Sequence, residues 1–215
     1  METEKYLAIV LVVTVMASAP VLAGTYRGDK TDSVHVALGA AHDNVGRIIV
    51  DTPTAGYLGS GTLIAPNWVL TAAHMVDDIM SGTVTFGATQ YSAERWVAHS
   101  KWNGDLLNGN DIALIKLATD VIGIDIAVRY TGSDEYGRIG TAVGYGMSGT
   151  GETGAVTSAG TKRAGENVID AFYSRSRKKT STIFLSDFDN PANPGDNAYG
   201  SSTPLALEYL IAPGD

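Results

Sequence analysis

The sequence predicts an all-β protein, and three observations carry that reading. Short apolar runs recur at 45–50, 61–64, 68–71, 84–86, 91–98, 112–117, 141–145 and 183–185, each bounded by Gly, Asn, Asp or Pro. None has the length and 3.6-residue period of an amphipathic helix, and 72–80 offers at most a brief helical turn. The strands do not alternate with helical stretches, so their spacing points to a barrel or sandwich and away from a βαβ fold. Between them, 102–110 (Asn and Gly), 146–160 (Gly, Ser and Thr) and 187–203 (two Pro among Asn, Asp, Gly and Ser) read as loops.

Composition narrows the function classes. With 44% hydrophobic and 18% charged residues in a chain of 215, there is enough apolar material for a core, which excludes wholesale disorder. A formal net charge of −8 leaves no electrostatic footprint for nucleic acid and no general attraction to anionic lipid. There is no cysteine, so packing alone holds the fold and thiolate metal sites are excluded. His35, His42 and His99 have no partner pattern and read as surface or strand residues. Asp187, Asp189, Asn190, Asp196 and Asn197 offer oxygens of the kind Ca²⁺ takes, but their spacing is not that of a calcium loop. Neither a metal nor a cofactor is expected.

The first 23 residues read as a secretory signal. Lys5 ends a short polar start, 6–16 is nearly unbroken apolar sequence, and Val21-Leu22-Ala23 is a small-x-small cleavage site before Gly24. The apolar run is shorter than the roughly 20 residues a membrane span needs. The mature protein is therefore expected to be secreted or periplasmic, with no stable membrane association after signal cleavage, and to occupy 24–215.

Two segments carry the chemistry. The first is Gly59-Ser60-Gly61-Thr62-Leu63-Ile64-Ala65-Pro66-Asn67-Trp68-Val69-Leu70-Thr71-Ala72-Ala73-His74, a strand, a tight turn, a second strand, then small residues leading to a histidine. A histidine at the end of a buried hairpin is held rigidly, as a catalytic base must be. The second is Asn110-Asp111-Ile112-Ala113-Leu114-Ile115-Lys116-Leu117, in which a carboxylate opens an almost wholly apolar strand. Burying that carboxylate is costly without a partner, and a histidine N–H suits it. Asp105, the local rival, has no strand behind it.

The first segment resembles the histidine motif of the chymotrypsin/trypsin serine protease superfamily, and the second resembles its aspartate motif. Val143-Gly144-Tyr145-Gly146 is similar to a strand early in the family's second barrel, and Arg163-Ala164-Gly165-Glu166-Asn167-Val168 to a segment of some bacterial members. Met75 stands where many relatives have a bridging cysteine, which makes this a cysteine-free variant.

The resemblance implies a double antiparallel β-barrel, with the first barrel over about 45–120 and the second over about 121–215. It makes His74 the general base and Asp111 the triad carboxylate. The family's nucleophile motif reads Gly-Asp-Ser-Gly-Gly, and this sequence supplies Gly214 and Asp215 and stops. The implied state is a chain truncated just before the catalytic serine, inactive as it stands and with its second barrel incomplete. Gly214 would give one backbone N–H of the oxyanion hole, and Asp215 would hold the serine loop in shape through an ion pair with a new N-terminal ammonium. Counting back places Leu210 at the floor of the specificity pocket, which favours apolar or small side chains.

The function so implied is endopeptidase action on protein or peptide substrates. The alternatives are a protease of the HtrA kind, against which the small run Thr71-Ala72-Ala73 looks more trypsin-like, and a non-catalytic relative that binds a partner. Arg47-Ile48-Ile49-Val50 has the look of an activation junction but reads better as an ordinary first strand, and the basic run 175–179 reads as a solvated loop.

Overall fold

The computed structural model describes residues 22–173, 183–193, 195, 197–200 and 203–210. Six strands, β2 (Val45–Asp51), β3 (Gly56–Ala65), β4 (Trp68–Thr71), β5 (Ser81–Phe86), β6 (Thr89–Ala98) and β7 (Ala113–Leu117), close an antiparallel barrel in the order β2-β3-β4-β7-β6-β5. Closure follows from the period-2 pattern of these segments. Ile48 and Val50 of β2, Val69 of β4, Val84 and Phe86 of β5, and Ile115 and Leu117 of β7 all turn inward and are almost fully buried. Gly61 faces the same core. A Cβ there would lie 2.6 Å from Val69 Cγ1 and 2.7 Å from Ile48 Cδ1, so the barrel admits no side chain at that position.

The second half is built from smaller pieces. β8 (Ile139–Gly144) pairs antiparallel with β10 (Arg163–Val168), and β11 (Ala171–Tyr173) with β12 (Ile183–Leu185). β1 (Leu22–Tyr26) lies between β9 (Met147–Thr150), to which it is parallel, and β13 (Tyr209–Leu210), to which it is antiparallel. Among the described residues these strands form three small sheets and no closed barrel. The halves meet at Ser60, whose Oγ accepts the Tyr145 N–H at 2.9 Å, and at Leu63, whose carbonyl accepts the Ala127 N–H at 2.9 Å.

Several elements depart from the sequence reading. A nine-residue helix, α1 (Asp32–Ala40), precedes the first barrel, where the periodicity predicted none. Its apolar stripe is weak because it buries His35 and Gly39 in place of large aliphatic side chains. His35, expected at the surface or in a strand, is fully buried in this helix, with Nδ1 2.9 Å from the Ala164 carbonyl and its ring stacked on Tyr26. Burial pushes its pKa down, against the pull of that carbonyl. β9 falls inside the stretch read as a Gly-rich loop, and β1, β10, β11 and β13 were not among the expected strands. The helical turn expected within 72–80 is a 3₁₀ turn, Ala73–Val76. The Arg47–Ile48 bond sits in mid-β2, paired to β3 on one side and β5 on the other, as an ordinary strand would have it. Residues 1–21 of the expected signal and the basic run 175–179 lie outside the described residues.

Candidate active site

The β4–β7 ladder brings the two sequence-predicted groups together. Thr71, the last residue of β4, pairs with Ala113, the first of β7, so the chain leaving one strand meets the chain entering the other. Beyond Thr71 the backbone passes through Ala72 into the 3₁₀ turn Ala73–Val76. Ala73, Met75 and Val76 are buried around His74 and fix the turn from both sides. Met75 reaches into space that Gly59 leaves open, since a Cβ there would lie 2.6 Å from Met75 Cε. Ahead of β7, Gly109 and Asn110 take φ of 66° and 63°, a left-handed turn that Gly and Asn tolerate, and this turn presents Asp111.

The carboxylate grips the histidine twice. Asp111 Oδ2 lies 2.7 Å from His74 Nδ1, and Oδ1 accepts the His74 backbone N–H at 2.8 Å. The side chains keep 35% and 20% exposure, so the pair is open to solvent on one side. Burial pushes the Asp111 pKa up, but the hydrogen bonds from the His74 ring and backbone and from the Ala73 N–H outweigh it and hold the carboxyl below its usual range. Asp111 is thus an acceptor at neutral pH. With Nδ1 donating to it, Nε2 is left as a proton acceptor, and among the described residues that atom has no hydrogen-bond partner.

Neighbouring residues brace the pair. Trp102 Nε1 donates to Asp77 Oδ2 at 2.8 Å and ties the loop ahead of Asp111 to the turn that carries His74. No sequence signal marks this contact, because an indole and a carboxylate 25 residues apart in a loop-rich region have no periodic trace. Asp105, the rival carboxylate, caps its own loop by accepting from the Leu107 N–H at 3.0 Å and Asn108 Nδ2 at 3.0 Å. Leu210 is in β13, where only its backbone is described, and Gly214 and Asp215 lie outside the described residues. Among the described residues no three His, Cys, Asp or Glu side chains are grouped to hold a metal. Asp187 instead accepts from the Ala198 and Tyr199 amides, and Asn197 from the Asn190 N–H, folding their own loop.

A second cluster of carboxylates underlies β13. Glu208 is 1% exposed and accepts the Leu205 N–H at 2.7 Å. Burial first, and then the charges of Asp189 and Asp187, push its pKa to about 7. Asp189 and Asp170 are raised too, again chiefly by burial. Because the fold favours protonated Glu208, its contribution is fully present below the usual carboxylate pKa near 4.5 and is lost as pH rises to about 7. Glu208→Gln is therefore expected to be near neutral at pH 4.5 and to stabilise the protein above pH 7 by up to about 3 kcal/mol. Denaturant titrations of both proteins across this range check it, and a difference that does not change with pH would refute it.

A barrel with a histidine–aspartate pair at its edge, joined to a second β half, is the architecture of chymotrypsin-like peptidases. Comparison with known proteins agrees. The model of the trypsin family matches residues 39–197, and the chain belongs to that family. It is 44% identical over 72 residues to chymotrypsin-like elastase family member 1 of Canis lupus familiaris, a match covering 28% of each chain. It is 42% identical over 72 residues to chymotrypsin-C of Bos taurus, covering 28% of this chain and 26% of that one. Each match therefore spans under a third of the relative's length. Among solved structures, HL collagenase shares the fold at a TM-score of 0.51 and 22% identity, over 70% of this chain and 63% of that one.

Proposed function

We propose that the chain carries the general base and the orienting carboxylate of a secreted serine endopeptidase whose nucleophile is the residue next after Asp215. The observation that carries this is the double hydrogen bond between Asp111 and His74, which leaves Nε2 free to take a proton. The sequence Pro213-Gly214-Asp215, which opens the family's nucleophile motif, supports it.

In this mechanism the serine oxygen attacks the scissile carbonyl carbon while its proton passes to His74 Nε2. Asp111, held ionised by its hydrogen bonds, steadies the imidazolium that forms. The Gly214 N–H and that of the serine receive the oxyanion. His74 then gives its proton to the leaving amine, and water, deprotonated by the same nitrogen, releases the acyl group. Leu210 at the pocket floor favours small or apolar side chains before the cleaved bond.

The test is a fluorophosphonate probe on protein expressed from the gene with the residues beyond Asp215 included. One serine, the one after Asp215, should be labelled, and His74→Ala should remove most of the labelling. A polypeptide ending at Asp215 should stay unlabelled. Labelling of a serine within 1–215, or a residue other than serine after Asp215, would overturn the assignment, the latter in favour of a non-catalytic binding protein.

A further inference from the structure

We infer that Trp102 and Asp77 are positioning residues for the His74–Asp111 pair: their hydrogen bond locks the loop that bears the carboxylate to the turn that bears the ring, and the bond between Nδ1 and the carboxylate depends on it. The bearing of this lock on catalysis rests on the proposed function, whereas the lock itself involves no nucleophile.

His74 sits on a turn that cannot hold itself. The 3₁₀ segment Ala73–Val76 has four residues, and its N-cap, Ala72, supplies no side-chain hydrogen bond. Beyond it Asp77 is extended and Asp78 takes a left-handed φ of 57°, so the chain leaves the turn abruptly. The turn is therefore placed by what touches its two ends. At its start, Asp111 accepts from the backbone N–H and from Nδ1 of His74. At its end, Trp102 Nε1 donates to Asp77 Oδ2 at 2.8 Å. Both partners come from one loop.

That loop, 99–112, is folded on its own bonds. The His99 N–H closes its neck by donating to the Ile112 carbonyl at 2.9 Å, and the Trp102 N–H donates to the His99 carbonyl at 2.9 Å. Asp105 caps the turn Leu106–Asn108. The Gly109 N–H then donates to the Leu106 carbonyl at 3.0 Å, and the Ile112 N–H reaches across Asp111 to the Asn110 carbonyl at 2.8 Å. Trp102 packs against the buried cluster of the first barrel, while Asp77 is exposed. The indole is thus the anchor, and a charge-assisted bond to it sets where the end of the histidine turn lies. With residues 74 and 77 fastened to the same loop, ring and carboxylate move together. Without the second tie the turn can pivot about Asp111, and the 2.7 Å bond to Nδ1 weakens steeply as its angle opens.

The test follows ring N–H groups by NMR in protein labelled with ¹⁵N at its four histidines. Trp102→Phe keeps an aromatic ring against the core and removes the N–H donor. It should speed exchange of the His74 Nδ1 proton with water about fivefold, as loss of one charge-assisted bond allows. Asp77→Ala, at an exposed position outside the core, should do the same, and the double variant should do no more than either alone. Asp77→Asn, whose amide oxygen still accepts the indole N–H, should stay near the parent. His35 Nδ1, beside the Ala164 carbonyl in the other half, is the control and should keep its rate. An unchanged His74 rate in Trp102→Phe overturns the inference. Additive effects of the two variants overturn the pairing, and equal acceleration at His35 shows a general loosening and overturns the positioning role. With the proposed serine present, fluorophosphonate labelling of Trp102→Phe should slow about tenfold. Faster ring exchange with unchanged labelling overturns the link to catalysis. A parent protein that takes no label refutes the proposed nucleophile instead, and the ring measurement, which needs no serine, still decides the positioning role.

Discussion

On the proposed mechanism, and with the proposed serine present after Asp215, Asp111→Asn is expected to lower kcat/KM for peptide hydrolysis by about four orders of magnitude while leaving the fold intact. The amide keeps an oxygen for the His74 backbone N–H, which Asp111 Oδ1 now accepts at 2.8 Å. It then presents N–H, where the carboxylate presented oxygen, to His74 Nδ1, 2.7 Å away. Nδ1 must accept, so the ring proton moves to Nε2, the atom that should take the serine's proton. The loss belongs to kcat, because Asp111 lies behind the histidine and KM should move little. Steady-state kinetics on a small apolar peptide, with thermal melts of both proteins, decide the matter. A variant within tenfold of its parent would show that Asp111 does not orient the base.

Asp32→Ala is expected to destabilise the second half by about 3 kcal/mol. Its partner Arg163 is the reason. The Arg163 side chain is 4% exposed, and losing the carboxylate leaves a buried guanidinium whose remaining partner among the described residues is the Thr161 carbonyl, at 3.3 Å. Asp32 itself is 41% exposed, so water can enter the gap, and the effect belongs at the lower end for a broken buried pair. The double variant Asp32→Ala/Arg163→Met should recover most of the loss, because it removes the stranded charge. Trp68, Trp96 and Trp102 all belong to the first barrel or its loops, so tryptophan fluorescence should barely shift while amide exchange across 164–168 speeds up. A loss under about 1 kcal/mol would mean that the ion pair is incidental.

How much of this was legible in the sequence differs between the halves. In the first barrel, the runs at 45–50 and 68–71 became β2 and β4 almost residue for residue, because each strand has one face on the core and so carries a two-residue alternation. The histidine and aspartate segments stood out by their resemblance to the family's motifs, each a residue set beside a strand of apolar neighbours. In the second half the alternation is diluted. β9, Met147–Thr150, contains no aliphatic β-branched residue and read as loop, yet it is a strand because β1 lies beside it.

By itself the sequence determined the all-β class and the six strands of the first barrel, because these depend on local pattern and short-range turn chemistry, and its resemblance to the family's motifs singled out His74 and Asp111. Only the tertiary structure decided that the Asp111 carboxylate reaches both Nδ1 and the backbone N–H of His74, that Trp102 braces Asp77, and that His35 and Arg163 are buried in a seam between an N-terminal helix and β10. Those contacts join residues up to 131 positions apart. A polar side chain leaves no periodic trace of a partner so distant, and whether it is stranded in water or satisfied in a core is settled only when the strands have closed around it.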